Sequence, residues 1–284
     1  MSSATQHIDA GLRARAAGAL VALVEAARVG GEIALRDFRE GAQTVATIDY
    51  KQGGSPVTSA DLAVDAFLKT RLAAAFPDAG WLSEETADDP ARLAQTALLI
   101  VDPIDGTRGY LSGDPRWTVS IALAVDGRPI AGVVHAPALS QTFAASLGGG
   151  ATLNGAPIRA SARKTFEGAR IAGPRPLALA FSRAAGIDFT IEPKIPSLAY
   201  RLARVASGSL DAALASMNSH DWDIAGADIV LSESGARLCD ADGGSLAYNQ
   251  ASPRHDTLLA APLGWLNRLT PALKLALTDS RHET

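Results

Sequence analysis

The chain has 284 residues, 47% of them hydrophobic and 20% charged, with a formal net charge of −4. That is enough apolar chain for a large core in one domain or two closely packed ones, and the acidic balance speaks against a nucleic-acid polymer or an anionic membrane as the main partner. Cys239 is the only cysteine, which excludes an intrachain disulfide and a cysteine-rich zinc site and fits a cytoplasmic protein.

Residues 8–39 read as a long amphipathic helix, with Leu12, Ala16, Leu20, Leu23, Ala27, Ile33 and Phe38 near a 3.6 period and a break at Gly30-Gly31. Its apolar stretch from Ala16 to Ala27 contains Glu25 and lacks the basic flank of a signal peptide. No apolar run reaches the roughly 20 residues of a membrane span, so no integral membrane segment is expected. Residues 44–50 read as a strand and Gly53-Gly54-Ser55-Pro56 as a turn. A second helix is predicted from Ser59 to Phe76, with Leu62, Val64, Phe67, Leu68 and Leu72 inward and Pro77 ending it. Gly80-Trp81-Leu82-Ser83 reads as a short strand leading into Glu84-Glu85, and Ala97-Leu98-Leu99-Ile100-Val101 as a buried one.

Further strands are predicted at Thr118 to Val125 and Pro129 to His135, joined by an Asp126-Gly127 turn, and at Thr142 to Ser146. Residues 156–165 mark an internal boundary that divides the chain into 1–160 and 161–284. Beyond it, strand-like segments near Arg170 and Thr190 alternate with helices at Leu198 to Ser207, Ile224 to Gly235 and Leu263 to Leu277. The last helix should kink or restart at Pro271. The pattern is a mixed α+β half followed by an α/β half.

Chemistry concentrates in Asp102-Pro103-Ile104-Asp105-Gly106-Thr107, which follows the buried strand. Carboxylates this crowded repel unless a cation lies between them, and a hard divalent ion such as Mg²⁺ takes oxygen ligands. Alone, the run reads equally as a turn, because Asp-Pro and Asp-Gly pairs are common turn formers. Glu84-Glu85 alone reads as a solvated pair, Asp221 or Asp223 as a helix cap, and Asp61 as a first-turn residue favoured by the helix dipole.

Together the pieces resemble the inositol monophosphatase superfamily, the Mg²⁺-dependent, lithium-sensitive phosphomonoesterases. An acidic pair after a short strand, the Asp102–Thr107 run, and Trp222-Asp223-Ile224-Ala225 before a glycine-ended helix occur in the family's order. Trp117-Thr118-Val119-Ser120-Ile121-Ala122-Leu123 and the run from Gly149 to Gly155 match as well. The resemblance spans about Ala14 to Ala261 and is weakest between Pro174 and Pro196. It implies a layered α-β-α-β-α sandwich of two tightly packed halves. It implies two or three Mg²⁺ ions: one on Glu84, Asp102 and the Ile104 carbonyl, a second on Asp102, Asp105 and Asp223, and a third on Glu84 with waters. Glu85 then has an outer, supporting place. Thr107 with Asp61 resembles the family's water-orienting dyad, and the Gly106 and Thr107 N–H groups would cradle the phosphate.

The family's substrates include inositol phosphates, 3′(2′),5′-bisphosphate nucleotides, fructose bisphosphate and histidinol phosphate. Ser83 before the acidic pair, Arg108 after Thr107 and Arg201 in Ser197-Leu198-Ala199-Tyr200-Arg201 resemble the nucleotide branch. Ser216 stands where inositol enzymes place a ring-contacting Glu. The expectation is therefore a 3′(2′),5′-bisphosphate nucleotidase acting on 3′-phosphoadenosine 5′-phosphate. The alternatives are an inositol-1-monophosphatase or another phosphatase of this family, or a non-catalytic metal- or nucleotide-binding protein on the same fold. A homodimer is expected from the resemblance alone.

Overall fold

The structure, a computed structural model, describes residues 3–51 and 53–279, with side chains from residue 10 to residue 278. Helix α1 (Ser3–Leu35) is unbroken. Gly30 and Gly31 do not interrupt it; they let it approach its neighbours. A Cβ on Gly31 would stand 2.6 Å from Pro137 Cγ and 2.8 Å from His135 Cδ2, and one on Gly30 3.2 Å from Val64 Cγ1. Strands β1 (Ile48–Tyr50) and β2 (Pro56–Thr58) form a short antiparallel hairpin. Residues 44–47, which the sequence pattern assigns to the first of these strands, lie outside it. They are held instead by Thr44 N–H to Leu111 O and Val45 N–H to Asp37 O.

Helix α2 (Ser59–Ala75) starts on a reciprocal cap: the Thr58 side chain accepts from the backbone of Ala60 and Asp61, and the Asp61 side chain accepts from Thr58 N–H. Its inward face departs from the prediction. Leu62 is exposed, whereas Asp61 and Asp65 are buried beside Val64, Leu68 and Leu72. Two carboxylates buried one turn apart need polar partners, and those partners lie at the site described below.

The first sheet has seven strands in sequential order: β3 (Gly80–Ser83), β4 (Ala97–Asp105), β5 (Thr118–Val125), β6 (Arg128–Ala136), β7 (Gln141–Ser146), β8 (Gly150–Leu153) and β9 (Ala156–Pro157). Only β3 and β4 run parallel. Strands β4 and β5 are buried on both faces, which explains their continuous apolar runs. Strand β4 runs on through the acidic motif. Asp102 pairs with Ser120 but Asp105 with Thr118, so β4 carries one extra residue, a bulge at Pro103-Ile104. Pro103 has no N–H to give, and it sits where the ladder is interrupted. A short helix, α3 (Thr107–Ser112), follows.

The second sheet takes its strands in the order β11-β10-β12-β16-β14. In chain order this half runs β10 (Arg170–Ala172), α4 (Arg175–Ala185), β11 (Thr190–Ile191), α5 (Leu198–Ala206), β12 (Ala212–Ala215), β13 (Ser219–His220), α6 (Asp221–Ser234), β14 (Ala236–Asp240), β15 (Arg254–His255), β16 (Leu258–Pro262) and α7 (Leu263–Asp279). Helix α6 begins three residues before its predicted start, and α7 passes through Pro271 without restarting.

Five layers result. α1 and α2 pack on one face of the first sheet through Leu23, Val64 and Leu68 against Leu99, Val101 and Ile121. α5 and α6 fill the space between the sheets, where Leu98, Ile100 and Val134 meet Leu202, Ile224, Val230 and Leu238. α4 and α7 cover the far face of the second sheet through Phe181, Leu269 and Leu273 against Ile171, Leu214 and Leu259. This is the α-β-α-β-α order that the family resemblance implies. No helix among the described residues is long and apolar enough to cross a membrane.

Candidate active site

The acidic residues converge at one end of β4. Asp102, Asp105 and Asp223 each bring a carboxylate oxygen to a cluster in which these atoms lie within 4.8 Å of one another. Asp223 reaches it because α6 lies almost on the strands beneath it. A Cβ on Gly226, one turn past Asp223, would stand 2.7 Å from Ser120 Oγ and 3.0 Å from Val133 O. Glu84 and Thr107 join these three in lining a cavity of about 490 Å³.

Each carboxylate is anchored through one oxygen. Asp102 Oδ1 accepts from Ile104 N–H at 3.1 Å, across the bulge. Asp105 Oδ2 accepts from Ser197 Oγ at 2.5 Å and from Ala199 N–H at 2.6 Å, at the first turn of α5. Asp223 Oδ2 accepts from His220 N–H at 2.6 Å, at the first turn of α6. Each residue thus keeps a second oxygen. That of Asp102, Oδ2, is fully buried with no hydrogen-bond partner among the described residues. Burial raises the pKa of Asp102 well above the carboxylate range, and the charges of Glu84, Asp105 and Asp223 raise it further. Burial and the charge of Asp223 raise that of Asp105. An orphaned buried oxygen among crowded carboxylates, with no sulfur or imidazole in the set, is the donor arrangement of a hard divalent cation such as Mg²⁺.

The turn bearing Glu84 is held from α2. Asp65 accepts from Ser83 Oγ at 2.5 Å and from Thr86 Oγ1 at 2.7 Å. Lys51, just past β1, places Nζ 2.9 Å from Glu84 Oε1 and 2.9 Å from Glu85 Oε1. Burial raises the pKa of Glu85 to about 7, against the lowering effect of its hydrogen bond from Lys51. Sequence reasoning singles out neither Lys51 nor Asp65. Their partners lie many positions away, and a lysine in a hairpin or an aspartate in a helix has no local signature.

Thr107 Oγ1 lies 3.1 Å from Ile104 O and 3.4 Å from Asp61 Oδ1, while Asp61 Oδ2 accepts from Thr58 N–H at 2.8 Å and Thr58 Oγ1 at 2.5 Å. Burial is the main cause that raises the pKa of Asp61 to about 6. Gly106 has φ +93, and a Cβ there would stand 3.0 Å from Ser197 N, so this corner requires glycine on both counts. Helix α3 is fixed behind it by Tyr110, whose hydroxyl donates to Ala34 O at 2.7 Å.

The residues expected to read the substrate do not share one place. Arg108 is exposed at the cavity edge. Arg201 lies in an adjoining pocket of about 460 Å³ with Arg175 and Lys194; Lys194 lines both spaces. Arg201 Nη1 donates to Leu214 O at 2.6 Å, and its buried Nε has no partner among the described residues. Ser216 is exposed just past β12, outside the residues that line either space. His220 stacks on Trp222, with ring centroids 4.5 Å apart.

Comparison with known proteins reaches the same place from another direction. A model of the inositol monophosphatase family matches residues 18–273. Inositol monophosphatase 3 of Solanum lycopersicum is 32% identical over 231 residues, which cover 78% of this chain and 85% of that protein. The 3′(2′),5′-bisphosphate nucleotidase CysQ of Aggregatibacter actinomycetemcomitans is 30% identical over 242 residues, 80% of this chain and 86% of the relative. The crystal structure of the extragenic suppressor protein suhB from Bartonella henselae superposes with a TM-score of 0.78 at 29% identity, covering 90% of this chain and 98% of that one. With its five layers and its carboxylates gathered at the bulged end of β4, the chain belongs to the inositol monophosphatase family and is a phosphoric monoester hydrolase.

Proposed function

We propose that the protein is a Mg²⁺-dependent, lithium-sensitive phosphomonoesterase whose preferred substrate carries a second anionic group, with 3′-phosphoadenosine 5′-phosphate as the leading case. Glu84, Asp102, the Ile104 carbonyl, Asp105 and Asp223 would hold two or three Mg²⁺ ions. When bound, these neutralise the phosphate dianion and lower the pKa of the attacking water. The Thr107 hydroxyl has two acceptors, Ile104 O and Asp61 Oδ1. Turned toward Asp61, it donates its proton there and accepts one from water. Asp61, with its pKa raised to about 6, is a base near the working range. Water oxygen bonds to phosphorus as the ester P–O bond breaks, and the leaving oxygen takes a proton from solvent, giving alcohol and inorganic phosphate. The N–H groups of Gly106 and Thr107 face the phosphate oxygens in this reading.

The observation that carries the choice of substrate is the cationic pocket beside the acidic one. Arg175, Lys194 and Arg201 line it with one carboxylate, Glu192, which is paired with Arg170, and Lys194 stands between the two spaces. A second phosphate there would form charge-assisted hydrogen bonds with these donors, whereas an uncharged polyol ring would form only the weaker kind. Lys194 and Arg175 are the better probes, because Arg201 is also tied to Leu214 O. Steady-state kinetics on 3′-phosphoadenosine 5′-phosphate and on inositol 1-phosphate test the reading. The bisphosphate should have the higher kcat/KM. Arg175→Ala, at a residue that lines only the second pocket, should raise KM for the bisphosphate about tenfold, a loss of ~1.4 kcal/mol, and leave the inositol ester unaffected. A higher kcat/KM for inositol 1-phosphate would move the protein to the inositol branch.

A further inference from the structure

A pair next to the cluster, one buried aspartate and one partly buried histidine, takes no part in the chemistry above. Asp221 is the first residue of α6, two positions before Asp223, and is 1% exposed. Its carboxylate bonds away from its own helix. Oδ1 lies 2.7 Å from His255 Nε2, and Oδ2 accepts from Asn249 N–H at 3.1 Å. Its N–H donates to Pro253 O at 2.8 Å. All three partners belong to the segment that enters β16. The same segment pairs with the start of α6 a second time, His255 with Ser219 and Arg254 with His220, as β15 against β13.

The segment is tied in turn to the first half. Asn249 Oδ1 accepts from Arg92 Nη1 at 2.9 Å, and Asn249 Nδ2 donates to Arg92 O at 3.1 Å. Arg92 is 3% exposed in the 3₁₀ turn Pro90–Ala94 that precedes β4. A continuous set of hydrogen bonds therefore runs from the approach to β4, which carries Asp102 and Asp105, to the first turn of α6, which carries Asp223.

We propose that Asp221 and His255 are a positioning pair that fixes the first turn of α6, so that Asp223 meets Asp102 and Asp105 at ion-binding distance. The proposal rests on the reading of Asp223 as a ligand. Capping does not account for Asp221, because the Asp223 carboxylate already closes this helix start through His220 N–H. Nor is a buried carboxylate paired with histidine a ready source of stability, since desolvation offsets much of the attraction. Orientation is what it provides. One Asp223 oxygen is committed to the cap, so the other points wherever the first turn points. A small rotation of that turn would move it relative to Asp102 and Asp105. The groups that hold a ligand carrier in place are commonly worth about 10–100-fold in metal affinity.

The test is thermal melting of the whole chain against Mg²⁺ concentration, with kinetics at saturating Mg²⁺. The readouts are the metal-free Tm, the Mg²⁺ concentration that gives half the full shift, and KM. His255→Ala should raise the half-shift concentration about tenfold and leave KM for the phosphate ester unchanged at saturating Mg²⁺. His255→Gln, whose amide N–H can donate to Asp221, should restore most of the affinity. Asp221→Asn should resemble His255→Ala. A His255→Ala protein with a lower metal-free Tm but an unchanged half-shift concentration would overturn the proposal in favour of plain structural support. Failure of the Gln variant to rescue would also overturn it. An Asp223→Asn protein with wild-type Mg²⁺ response would overturn the ligand reading beneath, and the proposal with it.

Discussion

Asp102 has one oxygen bound to Ile104 N–H and the other buried without a partner, beside two more aspartates. Substitution by Asn keeps the acceptor, removes a charge that burial and its neighbours oppose, and turns an N–H₂ toward carboxylate oxygens. Without Mg²⁺, Asp102→Asn should therefore melt no lower than wild type at neutral pH, while phosphate release falls below a tenth. A retained rate above that level would imply a loss of under ~1.4 kcal/mol in barrier and contradict a ligand shared by two ions. Asp228 on α6 gives a pH signature clear of the site. It is partly buried, accepts from Tyr248 Oη–H at 2.9 Å, and desolvation raises its pKa from 3.8 to about 6. A raised carboxyl pKa means that the folded state resists ionisation, so stability is lost as pH rises between the two values. Asp228→Asn, which keeps the acceptor, should match wild type below about pH 4, gain through pH 4–6, and level off above that range, up to ~3 kcal/mol more stable. Denaturant melts of both proteins from pH 4 to pH 8 measure this difference. A constant offset across that range would mean that Asp228 does not titrate in the fold as described.

At the scale of elements, regular periodicity in the sequence is informative and glycine is not. Thr118–Val125 occurs as predicted, and so does β3 (Gly80–Ser83), because buried strands and turn residues carry local signals. Gly30-Gly31 reads as a break, since a single chain cannot distinguish a glycine that ends a helix from one that admits a neighbour. Strands β12, β14 and β16 carry no comparable signal: Ala212-Ala213-Leu214-Ala215 has weak strand propensity, and its place is set by pairing with β10 and β16. Within α1 the two kinds of helix glycine can be separated by experiment. A Cβ on Gly18 would have nothing within 4 Å, whereas one on Gly31 would meet Pro137 at 2.6 Å. Gly18→Ala should stabilise the protein by up to ~1 kcal/mol through helix propensity. Gly31→Ala should destabilise it by ~1–3 kcal/mol, because the added carbon must push α1 away from β6 and the turn after it. Chemical denaturation of both variants gives the two signs. Equal stabilisation would mean that the close approach at Gly31 relaxes freely.

For the whole molecule, the carboxylate motifs are legible because their chemistry is concentrated in short runs, but the contacts that aim them are not. Ser197 reaches Asp105 across 92 positions and Lys51 reaches Glu84 across 33. Only the folded chain brings such pairs together. The same long-range contacts bear on whether 1–160 and 161–284 act as separate units. Helix α5 and helix α6 lie between the two sheets, and one apolar cluster draws on both, from Leu98 and Val134 on one side to Leu238 and Ala260 on the other. Asp105 is anchored on the first turn of α5, and Asp223 rides on α6. Neither half would keep its buried face dry without the other, so the chain should unfold in a single transition, with calorimetric and van't Hoff enthalpies in agreement. Because the carboxylates come from both halves, Mg²⁺ should raise the midpoint of that one transition. At a hundredfold excess over its dissociation constant the ion adds ~2.7 kcal/mol, which for a chain of this size is about 5 °C. Chelator should reverse the shift in wild type and leave Asp102→Asn unmoved. Two resolved transitions, with Mg²⁺ moving only one, would show instead that the halves are independent and that the ion is held within one of them.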